Sequence, residues 1–466
     1  MRTSSSELLI ELDRSRPRGL RVQVEDQLRE AVRTGQLPGG TVLPSSRTLA
    51  EDLGLTRGVV VAAYEQLVAE GYLVAVPGSG TVVNRGALPQ PTSPPVERPS
   101  EPPIEVDFSA GLPDLAHFPR GRWARATRVA LQTVPDERLG YGSVRGLPEL
   151  QRALVDYLAR VRGVRAHPDQ VVICSGFSHG ITVLAEALGR QGHDRIAVED
   201  PHRGAGRQLE HSSLEVRGVE LDAEGIVVDA LHRTGARAVL VTPAHQAPTG
   251  IVLSSARRSA LVSWAHAVDG YVIEDDYDAE FRYDHHPVGS LQGIAPDRVV
   301  YCGTASKTLA PGIRLGWMVL PPPMIEPVMD VRRGTDVLTS TLAQATFAEF
   351  IAGGDLDRHL RRVRRIYRRR RDALVTAVAQ HFAEATPTGV SAGLQTLLTL
   401  PAGWDEAAVA RSAGEAGVRL RTLNEFRMGD RTDLPPALVL GYGQVEPAEI
   451  ERGVRLLAAA ARSVAA

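Results

Sequence analysis

The sequence has almost no lysine: Lys307 is the single lysine among 466 residues, and arginine takes its place elsewhere. Arginine serves wherever a fixed positive charge is sufficient, so this exception marks a position at which an amine is needed. A guanidinium stays protonated in proteins, whereas an ε-amine can lose its proton and add to an aldehyde. The alternative is a lysine that happens to remain on the surface. The scarcity of lysine therefore predicts a reactive amine at position 307.

Cysteine and long apolar runs are also scarce. The two cysteines, Cys174 and Cys302, lie within apolar runs, which predicts small buried side chains and no disulfide framework or metal site. The apolar stretch near the start, residues 8–10, is too short for a secretory signal or a membrane span. We therefore expect a cytoplasmic protein with no membrane segment and no metal.

Composition gives the size and division of the chain. A hydrophobic content of 43%, a charged content of 23% and a net charge of -2 are typical of a soluble globular protein and indicate no polyanionic partner. Seven prolines between about residues 84 and 105 indicate an extended spacer that cannot form a core. The predicted organisation is a small module over 1–84, a linker over 85–105 and a large body over 106–466.

Apolar spacing in the small module predicts three helices and a hairpin. Val24, Leu28 and Val32 recur at helical spacing, a second helix should start at Ser45 or Ser46, and Thr56 can cap a third. The segment after Gly71 reads as a hairpin with the turn PGSG at 77–80. Three helices followed by a hairpin predict a winged helix-turn-helix.

A winged helix would place its third helix in the major groove of DNA and its hairpin on the adjacent backbone or minor groove. The predicted DNA-binding residues lie at the starts of the second and third helices and in the wing: Ser45, Arg47, Thr56, Arg57, Gly78, Ser79 and Gly80. The alternative is that both arginines are merely solvated. Arginines and acidic residues balance at ten each over residues 1–86, so the prediction depends on pattern and not on charge.

Linked motifs in this module resemble the GntR family of bacterial repressors. They are LPSSRTLA at 43–50, Thr56-Arg57, AYEQL at 63–67 and the Gly-Ser-Gly wing. The resemblance implies double-stranded operator DNA as a partner.

The body alternates strand-like apolar runs with helix-like segments, which predicts an α/β domain with a mostly parallel sheet. The predicted strands cover 170–174, 195–198, 238–242, 271–275 and 299–303. Ligand sites in such sheets lie at the carboxyl ends of the strands. Every chemically suggestive group of the body follows one of these strands.

Three strand ends supply groups that suit pyridoxal 5′-phosphate (PLP). Phe177 and Ser178 open a helix whose amides can hold a phosphate. Asp275 can keep the pyridine nitrogen protonated and Tyr277 can bind the ring 3-oxygen, although an acidic cluster at a strand end is otherwise a solvated loop or cation site. Thr304, Ser306, Lys307 and Arg314 then provide hydroxyls, an amine for a Schiff base and a phosphate-binding guanidinium.

The whole chain resembles MocR/GabR-type regulators, in which a GntR winged helix precedes a body similar to fold-type I aminotransferases. The motifs are YGSVRG at 141–146, TPAHQAPTG at 242–250 and EDDYDAEFRY at 274–283. The resemblance implies a homodimer whose DNA-binding modules cross to the partner's body, operators that are often direct repeats, and a small-molecule effector.

Three positions depart from the aminotransferase pattern. Ala247 stands where aminotransferases have an asparagine that bonds the ring 3-oxygen, and the aromatic residue that stacks on the ring is replaced by His202 or, without a one-residue gap, by Arg203. Val439 stands where an arginine usually clamps the substrate carboxylate. Loss of that clamp removes orientation that amino-acid chemistry needs, so we expect weak or no transaminase activity.

The sequence therefore predicts a PLP-dependent, DNA-binding transcriptional regulator whose effector is an amino compound or PLP itself; Val439 favours the second slightly. An alternative is an active aminotransferase with a vestigial DNA-binding module, and another is a GntR regulator with a PLP-free body.

The arginine-rich run 358–371 could suggest a nucleic-acid patch. Its apolar spacing, at Leu360, Val363, Ile366 or Tyr367, and Leu374, favours a helix on the core with a solvated basic face.

Overall fold

A computed structural model describes most of the chain. The described residues are 10–14, 19–78, 80–86, 103–202, 205–283, 288–335, 338–389, 391–428 and 434–465. The chain divides into two compact units, Met1–Ser100 and Glu101–Ala466, which we call the winged-helix unit and the body. Most of the linker predicted over 85–105 lies outside the described residues, so its boundaries stay a prediction.

The winged-helix unit contains the three predicted helices and the predicted hairpin. They are α1 (Leu20–Arg33), α2 (Ser46–Leu53), α3 (Arg57–Ala69), β1 (Leu73–Val76) and β2 (Gly80–Val83). The two strands pair antiparallel, and Val24, Leu28, Leu49, Val60 and Leu67 are buried between the elements. This confirms the winged helix-turn-helix.

The helix ends in this unit follow capping chemistry with one exception. The Ser45 hydroxyl accepts a hydrogen bond from the Thr48 amide at 3.1 Å and caps α2, and Gly54 ends α2 with a left-handed φ of 60°. Thr56 occupies the N-cap position of α3, but its side chain makes no capping hydrogen bond. Thr56 is therefore the N-cap residue by position, as predicted, but its exposed hydroxyl accepts no hydrogen bond from an amide of the first turn.

The body contains fourteen strands among its described residues. They are β3 (Val106–Asp107), β4 (Val171–Cys174), β5 (Arg195–Asp200), β6 (Glu215–Asp222), β7 (Gly225–Ile226), β8 (Ala238–Val241), β9 (Tyr271–Asp275), β10 (Val299–Thr304), β11 (Gly316–Val319), β12 (Thr386–Thr388), β13 (Gln395–Thr399), β14 (Val418–Arg419), β15 (Arg421–Thr422) and β16 (Ala437–Gly441). All five predicted strands are present, as β4, β5, β8, β9 and β10.

Helices surround these strands. They are α4 (Arg120–Thr133), α5 (Pro148–Arg162), α6 (Phe177–Arg190), α7 (Ala205–Glu210), α8 (Val228–Arg233), α9 (Ser255–Ala267), α10 (Ala305–Thr308), α11 (Pro322–Thr335), α12 (Thr341–Ala352), α13 (Asp355–His381), α14 (Glu406–Glu415) and α15 (Pro447–Ala465). The large sheet has the order β4-β11-β10-β9-β8-β5-β6-β7, in which only β11 and β7 run antiparallel to their neighbours. The predicted α/β class is confirmed.

The central strands are continuous apolar runs because helices cover both faces of the sheet. Successive residues alternate between two clusters: Ile273 packs with residues of α6 and α11, whereas Val272 packs with residues of α8 and α9. Cys174 and Cys302 are buried and free, as their apolar surroundings predicted. Helix α10 follows β10 directly, which fixes Lys307 at the carboxyl end of the sheet.

A second, antiparallel sheet lies near the C-terminus, with the order β12-β13-β16-β15. Helix α13 packs on the core through Leu360, Val363, Tyr367 and Leu374. This confirms the predicted packing of the arginine-rich helix and selects Tyr367 over Ile366 for the buried face. No helix in the described ranges is long and apolar enough to cross a membrane.

Candidate cofactor cavity and DNA-binding surface

One cavity of about 310 Å³ lies at the carboxyl ends of β4, β5, β8, β9 and β10. Its lining includes all nine residues predicted to bind the cofactor: Phe177, Ser178, His202, Asp275, Tyr277, Thr304, Ser306, Lys307 and Arg314. It also includes Gln208, Thr242, Ala247 and Pro311. The volume is at the lower end of the range for small-molecule sites.

Lys307 is held at one end of this cavity by the turn that follows β10. The Thr304 hydroxyl accepts the Ser306 amide at 3.1 Å and caps α10. The ammonium of Lys307 donates a hydrogen bond to the Gly111 carbonyl at 2.5 Å. Gly303 lies so close to Trp317 that a Cβ atom would meet the indole at 2.3 Å. Any larger residue at position 303 would therefore have to displace Trp317.

Of three consecutive carboxylates at the end of β9, only Asp275 lines the cavity. Glu274 accepts the backbone amides of Leu291 and Gln292, and Asp276 accepts two hydrogen bonds from Arg162 at 2.6 and 3.0 Å. All three are buried, so the acidic run is neither a solvated loop nor a cluster of equivalent groups.

Asp275 is electrostatically strained in this environment. Burial raises its pKa well above the usual range, the negative charge of Asp276 raises it further, and the positive charge of Lys307 opposes both effects. Its Oδ1 atom is buried and has no hydrogen-bond partner among the described residues. A cationic N–H group placed in the cavity would satisfy that oxygen and relieve the cost of its burial.

The phenol of Tyr277 belongs to a polar triad. The Nδ1 atom of His245 lies 3.0 Å from Asp278 Oδ2 and 3.2 Å from the Tyr277 hydroxyl. His245 and Asp278 are both buried. If Nδ1–H donates toward the carboxylate and the phenol together, the tyrosine keeps its own proton to donate to a further acceptor. His245 lies within the motif at 242–250, but its role was not predictable from the sequence.

Another part of the cavity lining suits an anion. Helix α6 begins at Phe177, after Gly176 with a left-handed φ of 93°. Arg314 donates to the Ser175 carbonyl at 2.5 Å, and a Cβ atom on Gly176 would lie 3.3 Å from its guanidinium. Helix amides, hydroxyls and a guanidinium are groups that can hold a phosphate.

A buried network lies behind the cavity wall. The Glu199 carboxylate accepts the Thr242 amide at 3.0 Å and the Thr242 hydroxyl at 2.6 Å. Burial raises the pKa of Glu199 to about 7, although its hydrogen bonds with Thr242 and Gln246 oppose the shift. Neither Thr242 nor Gln208 was predicted to line the cavity. The Gln208 amide donates to the Ser178 hydroxyl at 3.4 Å. No short local pattern marks these contacts.

All three departures from the aminotransferase pattern have a described position, and His202 lines the cavity. Ala247 lines the cavity but offers no side-chain hydrogen bond. Val439 is buried in β16, opposite Leu397, and does not line the cavity. Among the described lining residues, Lys307 and Arg314 are the only lysine and arginine. Arg203, the alternative to His202, lies outside the described residues.

In the winged-helix unit, the predicted DNA-binding residues are exposed. The Arg47 side chain is 81% exposed with a distant Glu51 contact at 3.9 Å, and Ser45, Thr56 and Arg57 are also exposed. Gly78 and Gly80 have left-handed φ values of 78° and 90°, which other residues adopt with strain. Ser45 and Gly80 line one concavity, whereas Arg47, Thr56, Arg57 and Gly78 do not. Ser79 lies outside the described residues.

Comparisons with known families match both units. The family of bacterial regulatory proteins called the gntR family matches residues 20–83, and the family aminotransferase class I and II matches residues 103–455. The two matches divide the chain between a DNA-binding unit and a body of aminotransferase type.

Individual relatives cover nearly the whole chain. The probable rhizopine catabolism regulatory protein MocR of Rhizobium meliloti is 31% identical, with 97% of this chain and 96% of the relative covered. The HTH-type pyridoxine biosynthesis transcriptional regulator PdxR of Corynebacterium glutamicum is 32% identical, with 94% and 95% covered. Among solved structures, the α-aminoadipate aminotransferase LysN of Thermus thermophilus, complexed with N-(5′-phosphopyridoxyl)-L-leucine, matches with a TM-score of 0.69 and 26% identity. That match covers 78% of this chain and 93% of LysN.

Proposed function

Since this chain belongs to the MocR/GabR-type transcriptional regulators, which join a GntR domain to an aminotransferase-like domain, we propose that it controls operator DNA through PLP held covalently by Lys307. The observation that carries this proposal is the meeting of nine residues, distant in sequence, around one cavity. Effector binding in the cavity would change operator affinity by favouring one arrangement of the protein over another.

The residues that line the cavity fit PLP group by group. Asp275, whose Oδ1 lacks a partner among the described residues, would accept the pyridinium N–H, and Tyr277 would donate to the ring 3-oxygen. The α6 amides, Ser306 and Arg314 would hold the phosphate, with His202 against the ring. PLP supplies an aldehyde that condenses with the Lys307 amine and releases one water. His245 would orient the Tyr277 phenol in place of the asparagine that Ala247 replaces.

A homodimer is part of this proposal. Large apolar side chains are exposed in and after α4: Leu131, Leu139 and Tyr141, the last 92% exposed. Exposed apolar side chains such as these could be covered at a subunit interface. We propose that the DNA-binding modules cross to the partner's body, and that the dimer acts in the cytoplasm, where operator DNA lies.

Two effectors are compatible with the cavity, an amino compound and PLP itself. An amino acid would need a guanidinium for its carboxylate, but Val439 is buried away from the lining, and Arg314 is required for the phosphate. The similarity to a pyridoxine biosynthesis regulator also supports PLP as the effector. Adding PLP, and then single amino compounds, to a DNA-binding assay distinguishes the two possibilities.

The test of the cofactor assignment is the visible spectrum of the purified protein before and after borohydride. We expect a visible band that disappears on reduction, with a phosphopyridoxyl group on Lys307. Because Lys307 is the sole lysine, only the N-terminal amine could compete. Lys307→Arg keeps the positive charge without a reactive amine and is the matched control. A reducible adduct that persists in Lys307→Arg would contradict the assignment.

Weak transamination is the second candidate function, because the cavity keeps the residues that suit PLP. Its test is conversion of the bound cofactor by single amino acids, followed by absorbance. Rapid turnover with ordinary α-amino acids would favour an enzyme, whereas slow or absent conversion supports a regulator.

A further inference from the structure

The geometry points to a DNA-backbone contact on the body itself, separate from the winged helix. We propose that Arg122, Arg358, Arg361, Arg362 and Arg365, which we call the arginine face, bind the phosphates of duplex DNA without reading its sequence. The proposal rests on the proposed function, since it assumes that the chain binds DNA.

The arginine face combines residues from two distant segments. Its five side chains line one concavity of about 610 Å³. Arg358, Arg361, Arg362 and Arg365 are spaced so that they share one side of α13, while Leu360, Val363 and Tyr367 on the other side are buried in the core. Arg122 comes from α4, more than two hundred residues earlier. From the sequence, the α13 arginines were predicted to form a solvated face, and their convergence with Arg122 was not predictable.

The guanidinium groups of the arginine face outnumber the carboxylates that pair with them. Asp355 is the shared carboxylate: Arg122 lies 3.3 Å from it, Arg358 lies 2.8 Å from it, and Arg125 also pairs with it. Arg361, Arg362 and Arg365 make no ion pair or hydrogen bond within the described part of the chain. Their mutual repulsion favours an anion between them.

The positive charges of this face also affect the pKa of the buried His359. Burial and, to a smaller extent, the charges of Arg362 and Arg122 lower its pKa to about 4, whereas a hydrogen bond with the Thr308 carbonyl opposes the shift. Arg362 and Arg122 therefore disfavour a positive charge on His359.

The shape of the arginine face suits a polyanion more than a single small anion. A small-anion site would enclose its ligand with buried donors, but the Arg122 and Arg358 side chains are 48% and 43% exposed, and Arg361, Arg362 and Arg365 are exposed as well. Duplex DNA presents a regular row of phosphates, and each neutralised phosphate releases condensed counterions. Within a DNA-binding regulator, the phosphate backbone is therefore the partner that this surface fits.

The experiment measures how DNA affinity depends on salt. The full chain and its Arg361→Ala/Arg362→Ala/Arg365→Ala variant are titrated onto a mixed-sequence duplex several helical turns long, by fluorescence anisotropy. Each lost phosphate contact lowers the slope of log K against log salt by about 0.9, so we expect a decrease of about 2.7 and binding that is weaker by a factor on the order of 10 to 100 at low salt. Alanine is a good helix former, so α13 should persist.

The matched control removes three exposed arginines elsewhere on the body, Arg165, Arg411 and Arg455, and should leave the slope near that of the parent. An equal decrease in both variants would assign the effect to net charge and overturn the proposal, as would an unchanged slope in the first variant. Selective competition by inorganic phosphate at matched ionic strength would assign the face to a small anion instead. A parent protein that binds no DNA at all would contradict the proposed function itself.

Discussion

The winged-helix unit and the body differ in where their functional side chains lie. Arg47 and Arg57 are exposed on the winged helix, whereas Asp275, His202 and Thr304 are buried around the cavity of the body. An exposed arginine can meet a phosphate with little change in its own solvation. A buried carboxylate is costly until a ligand pairs with it. The winged-helix unit therefore depends on exposed side chains. The body depends on buried groups whose burial is compensated only when a ligand fills the cavity.

Glu70 of the winged helix and three buried glutamates of the body have pKa values shifted in opposite directions. In the winged helix, hydrogen bonds from Gln66 and Arg29 lower the pKa of Glu70, and burial opposes them. In the body, burial raises the pKa of Glu199, Glu274 and Glu280 to about 7. The charged form of Glu70 is therefore stabilised by its neighbours, whereas the charged forms of these three glutamates are disfavoured by their surroundings.

The largest expected effects come from two adjacent carboxylates with opposite roles. Asp276→Asn breaks the buried pair with Arg162 and should destabilise the body by about 3 to 5 kcal/mol, because a buried guanidinium then lacks its counter-charge. Asp275→Asn removes a buried charge and should make the PLP-free body more stable. It should also weaken PLP binding by about 1.5 to 3 kcal/mol, through loss of a charged hydrogen bond.

Thermal unfolding of the PLP-free proteins and absorbance titration with PLP measure these two quantities separately. If Asp275→Asn destabilised the PLP-free body as much as Asp276→Asn, the distinction between a structural and a cofactor-binding carboxylate would fail.

The pH dependence of unfolding is a second test of the contrast between the units. The pKa of Glu199 rises from 4.5 to about 7 on folding, so the folded body keeps a proton that the unfolded chain has lost in this range. Stability should therefore fall as pH rises from about 4.5 to about 7 and then level off, by about 3 kcal/mol for this group alone. All four tryptophans lie in the body, so their fluorescence during urea unfolding follows this unit.

Glu199→Gln supplies the control, because it keeps the shape of the side chain and cannot titrate. Its unfolding free energy should change less between pH 5 and pH 7 than that of the parent. Equal pH dependence in both proteins would show that burial of Glu199 does not produce the effect. The pH dependence that arises from Glu70 has the opposite sign. Because its pKa is lowered in the folded state, Glu70 stabilises the winged helix above the unfolded pKa, and this stability is lost on acidification.

Arg57→Ala tests whether the exposed pattern of the winged helix binds DNA. Operator affinity should fall by about 1 to 3 kcal/mol if Arg57 contacts a base edge, and the salt slope should fall by about 0.9 if it contacts a phosphate. An operator selected from a random duplex library serves as the ligand. The visible band and the tryptophan-monitored unfolding of the body should not change. Unchanged affinity at moderate salt would contradict the winged-helix docking.

The sequence was sufficient to predict groups that depend on local pattern. The cavity residues could be found because each follows an apolar run that becomes a strand, and the carboxyl ends of parallel strands meet at one edge. Lys307 was identifiable by composition alone. Helix α2 was predicted correctly because its cap, apolar face and terminal glycine are all local.

Contacts between distant segments were not predictable. The Tyr277, His245 and Asp278 triad depends on how β8 and β9 pair, and Arg122 reaches the arginine face only through packing of α4 near α13. Strand β11 was also missed, because four buried residues that run antiparallel between β4 and β10 have no distinctive pattern. Tertiary pairing decides each of these features, and a single sequence does not encode it in any local spacing.

The smallest expected effect compares two helix caps within the winged helix. The Ser45 hydroxyl accepts the Thr48 amide at 3.1 Å, whereas the Thr56 side chain makes no capping hydrogen bond. Ser45→Ala should therefore cost about 1 kcal/mol of stability in this unit, and Thr56→Ala clearly less. Calorimetry is the measurement, since this unit has no tryptophan. Equal costs would mean that both hydroxyls cap their helices in solution, and that the two exposed ends of the DNA-binding unit are built alike.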